Sequence, residues 1–224
     1  MTTTTVVFDL DGTLVHSAPD LAYAANLMLA ELSAPALPIP KIEAMIGNGI
    51  PKLVERALEA SGIDLQDIDF ITILESFTAH YEANLTRETQ LYPGVEELLV
   101  ELKGQGYNLA ICTNKKQAPA EAICDALNLT QYFDSIIGAD DGREHKPHAE
   151  PLLLAIQLAG GDPDKAILIG DSRADAECAV AANVPGVLVD FGYTTTPVTE
   201  LPSVAVISDI RDVKPILTNL DLQI

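Results

Sequence analysis

Val6-Val7-Phe8-Asp9-Leu10-Asp11-Gly12-Thr13-Leu14 joins an apolar run to an acidic turn. Val6 to Phe8 form a short apolar run of the kind that makes a buried strand. Two acids and a glycine follow at once. Side chains two apart on a strand point the same way, so Asp9 and Asp11 are expected to face one site if the strand geometry persists to its end. Gly12 lets the chain turn there. In open parallel sheets, ligands bind beyond the carboxyl ends of the strands. Two neighbouring acids are costly unless a positive charge joins them. A metal ion is the economical partner, and magnesium prefers carboxylate and carbonyl oxygens.

The chain has 224 residues, of which 48% are hydrophobic, enough for one large core or a core with a smaller inserted unit. Its formal net charge is -20. That argues against nucleic acid and anionic membranes as partners, since both want basic patches. The same field repels a phosphate substrate, so local positive charge must compensate at any phosphate site. The cysteines, Cys112, Cys124 and Cys178, are odd in number and widely spaced. They suggest no disulfide framework, and the expected setting is cytoplasmic. The residues after Met1 do not read as a signal peptide, and no apolar run is long enough to suggest a membrane span.

Along the chain, short apolar strands alternate with helical patterns. Strands are expected at Thr4-Phe8, Asn108-Cys112, Ser135-Gly138, Ala166-Ile169, Gly186-Val189 and Val204-Ile207. Helices are expected near Val95-Lys103, Ala118-Leu127, Glu150-Ala159 and Ala174-Ala182. This alternation implies an α/β fold, a Rossmann-like parallel sheet with helices on both faces. Strand order cannot be read from it. Between about Pro19 and Arg87 the pattern is helical, at Leu21-Leu32, Leu53-Ala60 and Ile68-Ala83. The expected organisation is a core of residues 1–16 and 88–224 with a helical cap domain, residues 17–87, inserted after the first strand.

Three further pieces carry chemistry, and each has an ordinary structural reading beside it. Thr113 and Asn114 follow the second core strand, where they could donate to phosphate oxygens or merely cap a helix. Lys146-Pro147 opens a helical pattern, with Pro147 suited to the first turn and Lys146 either a phosphate ligand or a surface charge. Gly170-Asp171-Ser172-Arg173-Ala174-Asp175 follows an apolar strand. Asp171 and Asp175 lie one helical turn apart and can face the same point, or can simply enrich a helix N-terminus in acids.

Taken in order, these pieces resemble the haloacid dehalogenase superfamily of phosphatases over nearly the whole chain. Asp9-Leu10-Asp11-Gly12-Thr13-Leu14 is similar to its first motif, Thr113 to its second, Lys146 to its third, and Gly170-Asp171 with Asp175 to its fourth. Ser17-Ala18-Pro19-Asp20-Leu21, Ile46-Gly47-Asn48-Gly49, Leu91-Tyr92-Pro93-Gly94-Val95 and Lys146-Pro147-His148 resemble its phosphoglycolate phosphatase branch. The resemblance implies a magnesium-dependent phosphomonoester hydrolase acting on a small acid phosphate such as 2-phosphoglycolate. It implies that Asp9 attacks phosphorus to form an aspartyl-phosphate and that Asp11 protonates the leaving alcohol, then deprotonates water. Magnesium would be held by Asp9, the backbone carbonyl of Asp11 and Asp171. Lys146, Thr113 and Asn114 would hold phosphate oxygens, and Asp175 would orient Lys146 or metal-bound water.

The alternatives are a sugar-phosphate phosphatase, a phosphomutase, a dehalogenase, and a phosphate-sensing module without turnover. Intact Asp9, Asp11, Lys146 and Asp171 argue against the sensing module, and Asp11 argues against the dehalogenase. His16, Ala149 and Asn183 depart from the family pattern, which there has an acid, a proline and a glycine. Gly47, Asn48 and Gly49 precede a helical pattern, where they could bind a substrate carboxylate or only turn the chain. Cys112 reads as a core thiol, and His145, His148 and His80 as solvated or structural. Lys115 and Lys116 are either surface charges or an offset to the negative field.

Overall fold

The computed structural model describes residues 3–220 except Asn48, Asp141 and Thr195, and excluding the side chain of Asp67. The chain forms two compact units, Met1–His16 with Leu91–Ile224, and Ser17–Gln90.

The first unit is built on a six-stranded parallel sheet. Its strands are β1 (Thr5–Phe8), β4 (Asn108–Lys116), β5 (Ser135–Ala139), β6 (Ala166–Gly170), β7 (Gly186–Val189) and β8 (Ala205–Ile207). The short strands β2 (Val15–His16) and β3 (Gln90–Leu91) form a separate two-stranded sheet. The order of the main sheet is β5-β4-β1-β6-β7-β8. The chain therefore starts in the middle of the sheet, with β4 on one side of β1 and β6 on the other. In register, Phe8 stands between Ile111 and Ile169, so the segments after these residues emerge side by side. Every residue of β1 is fully buried. A strand covered on both faces reads as a continuous apolar run rather than an alternating one.

Helices α5 (Val95–Gly104), α6 (Gln117–Ala126), α7 (Glu150–Leu158), α8 (Arg173–Ala182) and α9 (Val213–Asn219) complete this unit. Leu152, Ala155 and Ile156 of α7 and Cys178 and Ala179 of α8 pack with Val7, Ala110, Cys112, Ile137 and Leu168 on one face of the sheet. The other face of the central strands, Val6, Phe8, Leu109, Ile111, Ile167 and Ile169, is buried as completely, and α5 and α6 pack on β4. Helix α8 ends at Asn183, whose φ of 55° is left-handed. Asparagine tolerates that conformation better than other residues with a Cβ, which accounts for its use there in place of glycine.

The second unit contains α1 (Ala18–Glu31), α2 (Ile39–Glu43), α3 (Ile50–Ala60) and α4 (Phe70–Glu82). Leu21, Met28 and Leu29 of α1, Leu53 and Leu58 of α3, and Phe77 and Tyr81 of α4 form its own core. Asp69 caps α4 by accepting from the backbone N–H groups of Ile71 and Thr72. The unit runs to Gln90 rather than ending after Arg87. The reason is Asp20 on α1, which is fully buried and accepts from the backbone N–H of Glu88 and of Thr89 and from the Thr89 hydroxyl at 2.7–3.0 Å. A buried carboxylate needs such donors, and here they bind residues 88 and 89 to α1. No described helix is long and apolar enough to cross a membrane.

Candidate active site

The site lies where β1, β4 and β6 end. Strand β1 stops at Phe8, and the Asp9 N–H still donates to Ile169 O at 2.8 Å. The chain then folds into a tight turn in which the N–H groups of Leu14 and Val15 both donate to Leu10 O. Strand alternation therefore does not carry through to Asp11, so the condition under which Asp9 and Asp11 would face one site as strand neighbours is not met. Leu10 is buried, while the Asp11 side chain is held by Lys115 at 2.9 Å. Gly12 is the necessary residue of this turn: its φ is +82°, and a Cβ would lie 2.4 Å from Asp171 Oδ2.

Asp9, Asp171, Asp175 and Lys146 form a buried charged group, with every member less than a tenth exposed. Lys146 Nζ lies 2.6 Å from Asp175 Oδ1 and 2.9 Å from Asp9 Oδ1. The Leu10 N–H donates to Asp9 Oδ1 at 2.7 Å. The Tyr193 N–H donates to Asp171 Oδ2 at 2.7 Å. Ser172 caps α8 and exchanges hydrogen bonds with Asp175 in a capping box. That box fixes the Asp175 carboxylate, whose Oδ2 accepts from the Ser172 N–H at 3.0 Å and its hydroxyl at 2.5 Å. Gly170 makes room for it, since a Cβ there would lie 2.2 Å from Asp175 Cγ.

Burial is the main cause of the unusual proton affinities here. It pushes the Asp9 carboxyl from 3.8 up to about 6, against the pull of Lys146. Burial, together with the charges of Asp175 and Asp9, raises Asp171 well above the usual carboxylate range. Burial by itself lowers Lys146, but Asp175 and Asp9 outweigh it and hold the ammonium charged.

Carboxylate oxygens of Asp9, Asp171 and Asp175 lie within 4.8 Å of one another, a spacing that would hold a metal ion. Asp175 is already committed to Lys146 and Ser172. Among the described residues, no donor reaches Asp9 Oδ2 or Asp171 Oδ1. Two hard, buried oxygens that repel one another fit a divalent cation such as magnesium.

The remaining sequence-predicted residues fall as follows. Thr113 is buried at the end of β4, and its Oγ1 accepts from the Lys115 N–H at 3.2 Å. Asn114 does not present its amide to the site. Its Nδ2 donates to Lys146 O and its Oδ1 accepts from Lys146 N, both at 2.9 Å, so it anchors the lysine-bearing loop to β4. Pro147 does not open a helix. Helix α7 starts at Glu150 with Pro151 in its first turn, and Lys146 lies in the preceding loop. Gly47 and Gly49 belong to the other unit and take φ of +113° and +81°, with Gly49 as N-cap of α3. Asn48 lies outside the described residues.

Lys115, undecided from sequence, pairs with Asp11 at the site. Its position two residues after Thr113, beyond the expected strand end, was the available signal. Tyr193 contributes a backbone N–H, which carries no side-chain signature in the sequence. The Tyr193 hydroxyl and the Tyr92 hydroxyl lie 3.2 and 3.4 Å from His16 Nδ1, so His16 belongs to an aromatic cluster rather than standing as an isolated charge. Cys112 is a buried core thiol, His80 pairs with Glu31, and His148 pairs with Glu144 on the surface.

The sequence profile of the haloacid dehalogenase-like hydrolases matches residues 6–189. Phosphoglycolate phosphatase of Caulobacter vibrioides is 42% identical over 209 residues, covering 93% of this chain and 88% of that protein. Phosphoglycolate phosphatase of Mesorhizobium japonicum is 41% identical over 203 residues, covering 91% and 89%. Among solved structures, a predicted phosphoglycolate phosphatase from Haemophilus somnus superposes with a TM-score of 0.88 at 32% identity, over 96% of this chain and 97% of that one.

Proposed function

We propose, because this chain belongs to the haloacid dehalogenase-like hydrolase family, that it is a magnesium-dependent phosphomonoester hydrolase whose preferred substrate is a small acid phosphate, 2-phosphoglycolate first. The observation that carries the reading is the buried group in which Asp9 and Asp171, beyond the ends of the adjacent strands β1 and β6, meet Asp175 of α8 and Lys146 of the loop before α7. Buried charges are expensive, and a cluster of this kind has no structural need at a sheet end. The names of the relatives point to the substrate.

Asp9 is the nucleophile. Its carboxylate forms a new bond to phosphorus as the ester P–O bond breaks and that bond's electron pair passes to the departing oxygen. Asp11 gives that oxygen a proton. In the second half, water attacks the phosphorus of the aspartyl-phosphate, gives a proton to Asp11, and releases inorganic phosphate and the Asp9 carboxylate. Lys146 faces the phosphate oxygens as well as Asp9, and Asp175 and Asn114 keep it there. Thr113 offers its hydroxyl from the neighbouring strand. Asp9, Asp171 and the Asp11 carbonyl would hold magnesium, which supplies neutralising charge where two anions must meet. The three unbridged, buried cysteines fit a reducing cytoplasm.

The test is a panel of small phosphate esters, including 2-phosphoglycolate and hexose phosphates, assayed with magnesium and with a chelator. We expect phosphoglycolate to have the highest kcat/KM and the chelator to abolish turnover. A hexose phosphate turned over faster would reassign the substrate. Full activity without a metal would remove the magnesium site.

A further inference from the structure

Lys115 takes no part in the steps above, yet it stands beside them. Strand β4 loses its register with β5 between Cys112 and Lys116, and an irregularity of that kind re-aims the side chains that follow. The Lys115 N–H donates to Thr113 Oγ1, which fixes the chain segment that carries it. The Lys115 side chain is only 5% exposed, and lysines are almost never buried to that degree unless paired. Its Nζ donates to Asp11 Oδ2 at 2.9 Å and to Asp11 Oδ1 at 3.1 Å. Lys146 does not take this place, since its ammonium lies against Asp9 and Asp175. Each acid of the first motif thus has its own lysine, from a different segment.

The two contacts do different things. Lys146 stands against the nucleophile. Lys115 grips both oxygens of Asp11, which restricts rotation of a carboxyl group carried on a turn beyond the end of β1. The geometry points to Lys115 as a positioning residue that holds the Asp11 carboxyl in the orientation needed at the leaving oxygen. This rests on the acid–base role proposed for Asp11. Orientation matters because the proton must move within hydrogen-bond reach, and a displacement of about 1 Å can cost about 100-fold in rate.

The experiment compares Lys115→Met, Lys115→Gln, Asp11→Asn and the Lys115→Met/Asp11→Asn double variant in the presence of magnesium. Each is assayed on alkyl phosphates and on aryl phosphates with acidic phenols, and each is checked for folding by its Tm. An alkoxide needs the Asp11 proton as the P–O bond breaks, whereas a nitrophenolate leaves without it. Asp11→Asn is expected to lower kcat/KM on alkyl esters by about 10²–10⁴-fold and on aryl esters far less. Lys115→Met and Lys115→Gln should each lose about 10–100-fold on alkyl esters and under about threefold on aryl esters. Adding Lys115→Met to Asp11→Asn should change little further, because two residues acting through one step are not additive.

Equal losses on both ester classes in the lysine variants would overturn the inference. So would losses that multiply in the double variant, since Lys115 would then act on the substrate directly or through the general field. If Asp11→Asn alone lowers both ester classes alike, the acid role of Asp11 falls and the inference falls with it. That failure is read from the Asp11 variant by itself, so the two are distinguishable.

Discussion

Asp9→Asn is expected to abolish turnover and, at the same time, to stabilise the metal-free protein. The Asp9 carboxyl is pushed from 3.8 up to about 6, chiefly by burial. Its folded-state value therefore lies above its unfolded value. Between about pH 4 and pH 6 the folded state binds a proton that the unfolded chain has lost, so stability falls as the pH rises through this window and stays lower above it. A rise of roughly two pH units corresponds to about 3 kcal/mol. Asparagine keeps the shape, cannot ionise, and leaves Lys146 with Asp175 at 2.6 Å. For a protein of this size, about 3 kcal/mol is worth about 6–12 °C in Tm. Scanning calorimetry in a chelating buffer should show that gain near pH 7.5 and little difference near pH 4, while activity with magnesium is lost. A variant no more stable than the parent at neutral pH would refute the claim that burial of the Asp9 charge is costly. Activity within about tenfold of the parent would remove Asp9 from the nucleophile role, since losing such a group costs several orders of magnitude.

Further outcomes follow from neighbouring residues. Lys146→Met leaves Asp9 and Asp175 buried without their shared cation, which should cost about 3–5 kcal/mol in a denaturation experiment and remove nearly all activity; a loss under about 1 kcal/mol would place the lysine at the surface instead. Gly170→Ala puts a Cβ 2.2 Å from Asp175 Cγ, so it should reduce kcat and lower Tm together, and an unchanged kcat would show that Asp175 can move without consequence. The thiols of Cys124 and Cys178 are pushed up to about 12 by burial, and Cys112 is raised further still. A thiol reagent near neutral pH should label none of the three until the chain is unfolded, and rapid labelling of the native protein would contradict their burial.

The fold was legible because each core strand is a short apolar run between helical patterns, as at Val6-Val7-Phe8 and Ala166-Ile169. Strand order was not legible, because a parallel connection of helix length can place the next strand on either side. Only the structure brings β4 and β6 to flank β1 and so gathers Thr113 and Asp171 around Asp9. The acids and Lys146 could be proposed from sequence because their motifs, taken in order, resemble those of the family; each piece alone suits a helix end or a surface charge as well. Asn114 is ambiguous in sequence because an amide at a strand end suits a phosphate and a backbone equally. Its two hydrogen bonds to Lys146 depend on a loop more than thirty residues away. Pro147 misled because proline is common in first turns, and Pro151, four residues on, takes that position. Lys115 could not be decided because its pairing depends on a register shift in β4 that no periodicity announces.

If Asp9 is the nucleophile, it becomes covalently phosphorylated during turnover. The direct measurement is acid quenching of the enzyme while it hydrolyses 2-phosphoglycolate with magnesium, followed by mass spectrometry of its peptides. The expected result is one added phosphoryl group on the peptide carrying Asp9, absent from Asp9→Asn and absent when a chelator replaces magnesium. Steady turnover with no phosphorylated Asp9, or with the phosphoryl group on another side chain, would contradict it.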